Sequence, residues 1–129
     1  IALNQPDKTD AIDVLAKVGG FEIGAMAGAM LAGAANHIPV LIDGFISTAA
    51  AAIAIGINPE VKDYLICSHA SAEKGAAYAS EFIGAKPFLN MGMRLGEGSG
   101  AAIAFNIVEA ALYMNREMAT YGDVGLGVV

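Results

Sequence analysis

The sequence predicts an α/β fold: a Rossmann-like parallel sheet flanked by helices, forming part of a larger domain. Short β-branched apolar runs, Pro39-Val40-Leu41-Ile42 and Tyr64-Leu65-Ile66-Cys67, alternate with helix-compatible segments. Strands separated by helices imply right-handed βαβ crossovers and hence a parallel sheet. Only 16% of the residues are charged and 56% are hydrophobic, against roughly 25% charged in an average soluble domain. Such a chain lacks the polar surface of a free-standing monomer and calls for a covalent or oligomeric neighbour.

The elements follow in order. Asp10 precedes a helix over residues 11–18, where Ile12, Leu15 and Val18 share one face, and its carboxylate suits the free amides of a helix start. Gly19-Gly20 ends that helix. A second spans residues 21–34, with Gly24, Ala25, Gly28 and Ala29 forming a stripe small enough for another backbone to approach closely. Residues 39–42 read as a buried strand that turns at Asp43-Gly44.

An alanine-rich helix covers residues 46–55, and after the Asn58-Pro59 turn residues 64–67 form a second buried strand. Ser68-His69-Ala70-Ser71 then leads into a helix over residues 72–83, which Gly84 ends. Pro87-Phe88-Leu89 reads as a third short strand, and the loop from Arg94 to Gly100 opens a long helix over residues 101–118. No repeat, low-complexity linker or second-domain boundary interrupts residues 1–129, so one core is expected.

Several function classes are excluded. The net charge is −6 and the seven basic side chains are scattered, which disfavours nucleic-acid binding. A single cysteine, Cys67, permits no internal disulfide and points to the cytoplasm. Residues 24–35 and 46–57 are the longest apolar stretches, short of the roughly 20 residues that cross a bilayer, and predict core helices rather than membrane spans. The start at Ile1, without an initiator Met or a signal-like segment, predicts a piece of a longer protein.

In a parallel sheet every strand delivers its carboxyl end to one edge, where ligands bind. Here that edge receives Asp43-Gly44-Phe45, then Ser68-His69-Ala70-Ser71, then Gly96-Glu97-Gly98-Ser99. Glu97 is the sharpest candidate, because glycines on both sides leave its carboxylate unshielded; the alternative is a helix-capping glutamate. Asp43 either orients a ribose hydroxyl or caps the following helix, and Ser71 either binds a phosphate or caps the helix starting at residue 72. Phe45 either walls a flat ring or fills the core.

Two histidines and one cysteine close no ligand set around Cys67, His69 and Asp43, so no metal site is expected. His37 reads as a satisfied surface residue, and the methionines as packing. The glycines of residues 96–100 superficially suit a dinucleotide, but that motif needs a further strand with an acidic tip, and residues 120–129 are too few to supply one.

Three strings go beyond spacing: Gly19-Gly20-Phe21-Glu22-Ile23, Asp43-Gly44-Phe45-Ile46-Ser47-Thr48-Ala49-Ala50, and Arg94-Leu95-Gly96-Glu97-Gly98-Ser99-Gly100-Ala101. With His69-Ala70-Ser71-Ala72-Glu73, and in this order along essentially the whole chain, they resemble nicotinate-nucleotide:dimethylbenzimidazole phosphoribosyltransferases. The resemblance implies a phosphoribosyl transfer from nicotinate mononucleotide to 5,6-dimethylbenzimidazole in cobalamin lower-ligand assembly. The products would be α-ribazole 5′-phosphate and nicotinate, with inversion at the anomeric carbon.

It further implies Glu97 as the general base, with Gly44, Phe45, Ser71, Leu95 and Gly96 among the substrate contacts beside Asp43. No cofactor is implied. The chain would be the carboxy-terminal α/β portion of the enzyme, whose absent amino-terminal half carries the other glycine-rich phosphate-binding segment and a basic residue near the donor phosphate. Ser99 stands where many relatives carry Thr. The small-residue stripe also predicts a homodimer. It leaves open a reading of another class, a non-catalytic nucleotide-binding or dimerisation module, and the same fold could serve a different acceptor base or phenol.

Overall fold

The computed structural model describes residues 1–127. Its elements are α1 (Ala11–Val18), α2 (Phe21–Ala35), β1 (Val40–Ile42), α3 (Phe45–Ile57), a 3-10 helix (Pro59–Tyr64), β2 (Leu65–Cys67), α4 (Ala76–Ile83) and α5 (Ser99–Glu117). β1 and β2 pair in parallel, with Val40 opposite Leu65 and Ile42 opposite Cys67. α3 and the 3-10 helix provide the crossover that a parallel pair requires.

Local chemistry explains several element ends. Asp10 Oδ1 accepts from the amides of Ile12 (2.9 Å) and Asp13 (3.2 Å), capping α1 as expected. Asp13 and Lys17 then pair at 2.8 Å one turn apart. Asn58 Oδ1 accepts from the Glu60 amide at 3.1 Å and starts the 3-10 helix, with Pro59 at its first position, where a missing N–H costs nothing. Gly84, at φ +63°, ends α4 in the left-handed conformation that glycine adopts without strain.

The core lies where α2 and α3 pack on each other and on the sheet. Ile42 and Val61 are each 1% exposed, and burying such a side chain stabilises the fold by roughly 1.5–3 kcal/mol. Ala27, Ala50, Ala51 and Ala54 are buried beside them, and their small size lets the helix backbones close up. The small-residue stripe of α2 divides: Gly24 lies against the Leu15 side chain of α1, whereas Gly28 faces open space. On α5, Phe105, Leu112 and Met114 stay exposed.

Three expectations need correction. The third strand at residues 87–89 shrinks to a single parallel bridge between His69 and Leu89, because Pro87 has no amide for a ladder; the Leu89 amide donates to Ser68 O (3.0 Å) and the Ala70 amide to Leu89 O (2.8 Å). The helix expected from residue 72 begins at Ala76. Its would-be first amide, that of Ala72, donates instead to Met93 O at 2.9 Å, and residues 73–75 form a bend and a turn before the helix starts. α5 starts at Ser99, two residues before the expected position.

Candidate active site at the strand tips

The loops that follow β1, β2 and the 69–89 bridge surround a cleft of about 890 Å³. Asp43, Gly44 and Phe45 reach it from the end of β1 and the start of α3. Ser71 reaches it from the extended segment after β2, and Leu95, Gly96 and Glu97 from the loop before α5. Every candidate named from the sequence lines this one cavity.

Glu97 sits at φ +55° between Gly96 at +77° and Gly98 at +74°, so three successive residues are left-handed. For a residue with a Cβ this conformation costs on the order of 1 kcal/mol or more, and it persists only where the surroundings over-determine it. The Glu97 carboxylate is exposed on the cleft and accepts no hydrogen bond among the described residues. The helix-capping alternative therefore fails: the cap position of α5 is Gly98, and another carboxylate serves its amides.

That carboxylate is Asp43. Its Oδ1 accepts from the Ala101 amide at 3.0 Å and its Oδ2 from the Gly98 amide at 3.3 Å. An anion beside a helix amino terminus also meets the positive end of the helix dipole. Asp43 thus caps a helix, but not the following one. At the start of α3 the Gly44 amide donates to Ser47 Oγ (2.9 Å), and Thr48 Oγ1 donates to Gly44 O (2.8 Å).

The Ser71 alternative is corrected as well. Its hydroxyl accepts from the Glu73 amide at 3.3 Å, inside a loop and not at a helix start. Phe45 is no core residue: its ring covers Gly75, leaving no space for a side chain there, and it remains 37% exposed along the cleft. Gly75 is the residue immediately before α4.

Sequence reasoning missed other lining residues. Met26 and Met30, one turn apart on α2, supply an apolar wall, and Met30 is also part of the core. Arg94 brings a cation among the carboxylates of Asp43, Glu73 and Glu97; its place beside Leu95-Gly96 was the available signal. His69, 5% exposed, also lines the cleft, with Nδ1 3.1 Å from Ser68 Oγ and 3.9 Å from Asp43 Oδ1. No group of three or more His, Cys, Asp or Glu among the described residues is placed to hold a metal ion. His37 Nδ1 meets Tyr64 OH at 2.7 Å on the surface, away from the cleft.

The arrangement offers a carboxylate with a free coordination sphere, an aromatic ring, two flexible thioethers and close backbone approach at Gly44 and Gly96. Such a cavity suits a flat heteroaromatic ring and a proton transfer at its edge.

A family model described as phosphoribosyltransferase matches residues 1–126. The nicotinate-nucleotide–dimethylbenzimidazole phosphoribosyltransferase of Alkaliphilus metalliredigens is 58% identical over 128 residues, covering 99% of this chain and 37% of the relative. Its namesake from Clostridioides difficile is 56% identical over 127 residues, covering 98% and 36%. A crystal structure of the Thermus thermophilus protein of that name superposes with a TM-score of 0.88 at 35% identity, over 99% of this chain and 39% of that one. The chain therefore spans a little over a third of the length of these relatives.

Proposed function

This chain belongs to the phosphoribosyltransferase family, and on that premise we propose that the full-length protein transfers phosphoribose from nicotinate mononucleotide to 5,6-dimethylbenzimidazole. The products are α-ribazole 5′-phosphate and nicotinate, and Glu97 is the general base. The observation that carries the reading is the unpartnered Glu97 carboxylate in the same cleft as Gly44, Phe45, Ser71, Leu95 and Gly96. Relatives more than half identical over this whole length bear the corresponding name.

The chemistry is balanced without a cofactor. The acceptor nitrogen forms a bond to the anomeric carbon as the bond to the pyridinium nitrogen breaks, and the electron pair leaves with nicotinate. The benzimidazole proton passes to Glu97. Positive charge on the ribosyl group in the transition state lies close to the same carboxylate, which stabilises it electrostatically. Phe45 and the Met26–Met30 wall hold the flat acceptor; Ser71 and the backbone at Gly44 and Gly96 contact the donor; Asp43 serves the site by fixing the loop.

In this reading the chain is the carboxy-terminal portion of a cytoplasmic enzyme, with the donor phosphate gripped chiefly by the amino-terminal half. The exposed apolar side chains of α5 support a covered surface in the whole protein, and we assign it to a homodimer. Among the described residues no helix is long and apolar enough to cross a membrane.

The test is nicotinate release by the full-length protein with dimethylbenzimidazole present, wild type against Glu97→Gln. Removing a general base lowers kcat by roughly 100-fold or more. Undiminished turnover in the variant removes Glu97 from the mechanism.

A further inference from the structure

His69 is a buried polar residue that the reaction just described does not use. Its ring is wedged between two backbones. A Cβ on Gly44 would stand 3.5 Å from its Cε1 and 3.6 Å from its Nε2, and a Cβ on Gly100, in the first turn of α5, would run into the ring. Nδ1 lies 3.1 Å from Ser68 Oγ and 3.9 Å from Asp43 Oδ1.

The tautomer follows from counting protons. The Ser68 hydroxyl has one, and it is donated to the Asp43 carbonyl at 2.9 Å; toward the imidazole the same oxygen can only accept. Nδ1 therefore carries the hydrogen and, in the neutral ring, Nε2 is bare. Asp43 in turn receives the amides of Gly98 and Ala101. One cluster thus runs from the tips of both strands to the left-handed turn that presents Glu97.

We propose that His69 is a positioning residue for Glu97. Its Nδ1–H side, through Ser68 and Asp43, and its ring, through the bare backbone of Gly100, fix the start of α5. They thereby fix the strained turn at residues 96–98. The inference rests on the reading of Glu97 as the base, but the mechanical part stands separately: without His69 the Asp43 clamp on residues 98 and 101 loosens.

Three variants of the full-length protein test this. Asn at position 69 places an amide nitrogen near the position of Nδ1 and retains its donation to Ser68. Gln reaches instead toward the position of Nε2, and Leu has neither. Two quantities are read: kcat and KM for nicotinate release, and hydrogen exchange of the peptide containing the Gly98 and Ala101 amides.

His69→Gln and His69→Leu are expected to lower kcat about 10- to 100-fold, the usual cost of a small misplacement of a reacting group. The KM for the donor stays unchanged and exchange at residues 98–101 quickens. His69→Asn is expected to retain more kcat and more protection than His69→Gln. If Leu prevents folding, the comparison of Asn with Gln decides alone.

Gln equal to or better than Asn overturns the proposal, as does a loss of kcat with exchange at residues 98–101 unchanged. Failure of the Glu97 reading is distinguishable: Glu97→Gln then stays active, while quickened exchange in His69→Gln still reports the clamp.

Discussion

The carboxylate of Asp43 and the backbone amide of Ala101, 58 positions apart in the chain, meet at 3.0 Å. The contact joins the end of β1 to the first turn of α5. Beside its anchor amides, on the cleft, lies a turn whose conformation a side-chain-bearing residue adopts only at a cost, and that residue is Glu97. Fold and chemistry are coupled at this point.

Asp43→Ala should lower the free energy of unfolding by about 1–3 kcal/mol, since two amides lose a charged acceptor in a site from which water is partly excluded. Asp43→Asn, which keeps one acceptor oxygen, should cost less. Urea denaturation measures both. Equal stability of the Ala variant and the wild type would mean that the α5 amides find another partner.

Glu97→Gly should move stability and activity in opposite directions. Glycine adopts φ +55° freely, so the unfolding free energy should rise by up to about 1 kcal/mol, while turnover falls roughly 100-fold or more. A lower denaturation midpoint in this variant would show that the left-handed turn is not strained.

Two Gly→Ala substitutions in helices should differ in sign. At Gly100 the methyl group collides with the His69 ring, and overpacking of this kind costs about 1–3 kcal/mol. At Gly28 it meets open space within α2, where replacing glycine by alanine gains about 1 kcal/mol. Thermal denaturation of the pair checks the contrast, and destabilisation at both positions would contradict it.

The Cys67 thiol is pushed upward by burial, so its thiolate is disfavoured. A maleimide or aromatic disulfide reagent at pH 8 should label the native protein slowly and the urea-unfolded protein at the rate of a free thiol. Rapid native labelling would place Cys67 nearer to solvent than the core.

Hydrogen bonds from Thr9 hold the Asp7 carboxyl below the usual carboxylate range, the Lys17 ammonium does the same for Asp13, and Thr120 for Asp123. With native values depressed, the unfolded chain binds more protons in that window, so stability rises with pH through it. The contribution is complete above the unfolded carboxylate value of about 4 and is lost as pH falls through the native values. Carboxyl-carbon NMR should show the Asp13 midpoint rising in Lys17→Met; an unmoved midpoint would dismiss the ion pair as its cause.

Much of the site could be read before the fold was known, because strand ends in a parallel sheet converge whatever their exact lengths. Asp10, Gly19 and Gly84 also marked their helix ends correctly, since each acts on backbone groups within a few residues. The misreadings share a different origin. The Ala72 amide is taken by Met93, the loss of the third strand turns on Pro87 facing a ladder it cannot join, and Phe45 leaves the core to cover Gly75.

The sequence by itself determined the alternation of strands and helices, the edge where polar residues gather, and the glycine-flanked carboxylate, because these depend on periodicity and on backbone freedom at single residues. Only the tertiary structure decided that Asp43 clamps α5 instead of capping α3, that His69 packs between Gly44 and Gly100, and that Glu97 is held left-handed with its carboxylate free. Those outcomes require hydrogen bonds and steric contacts between segments dozens of residues apart, and no local pattern encodes which distant amide a carboxylate will meet.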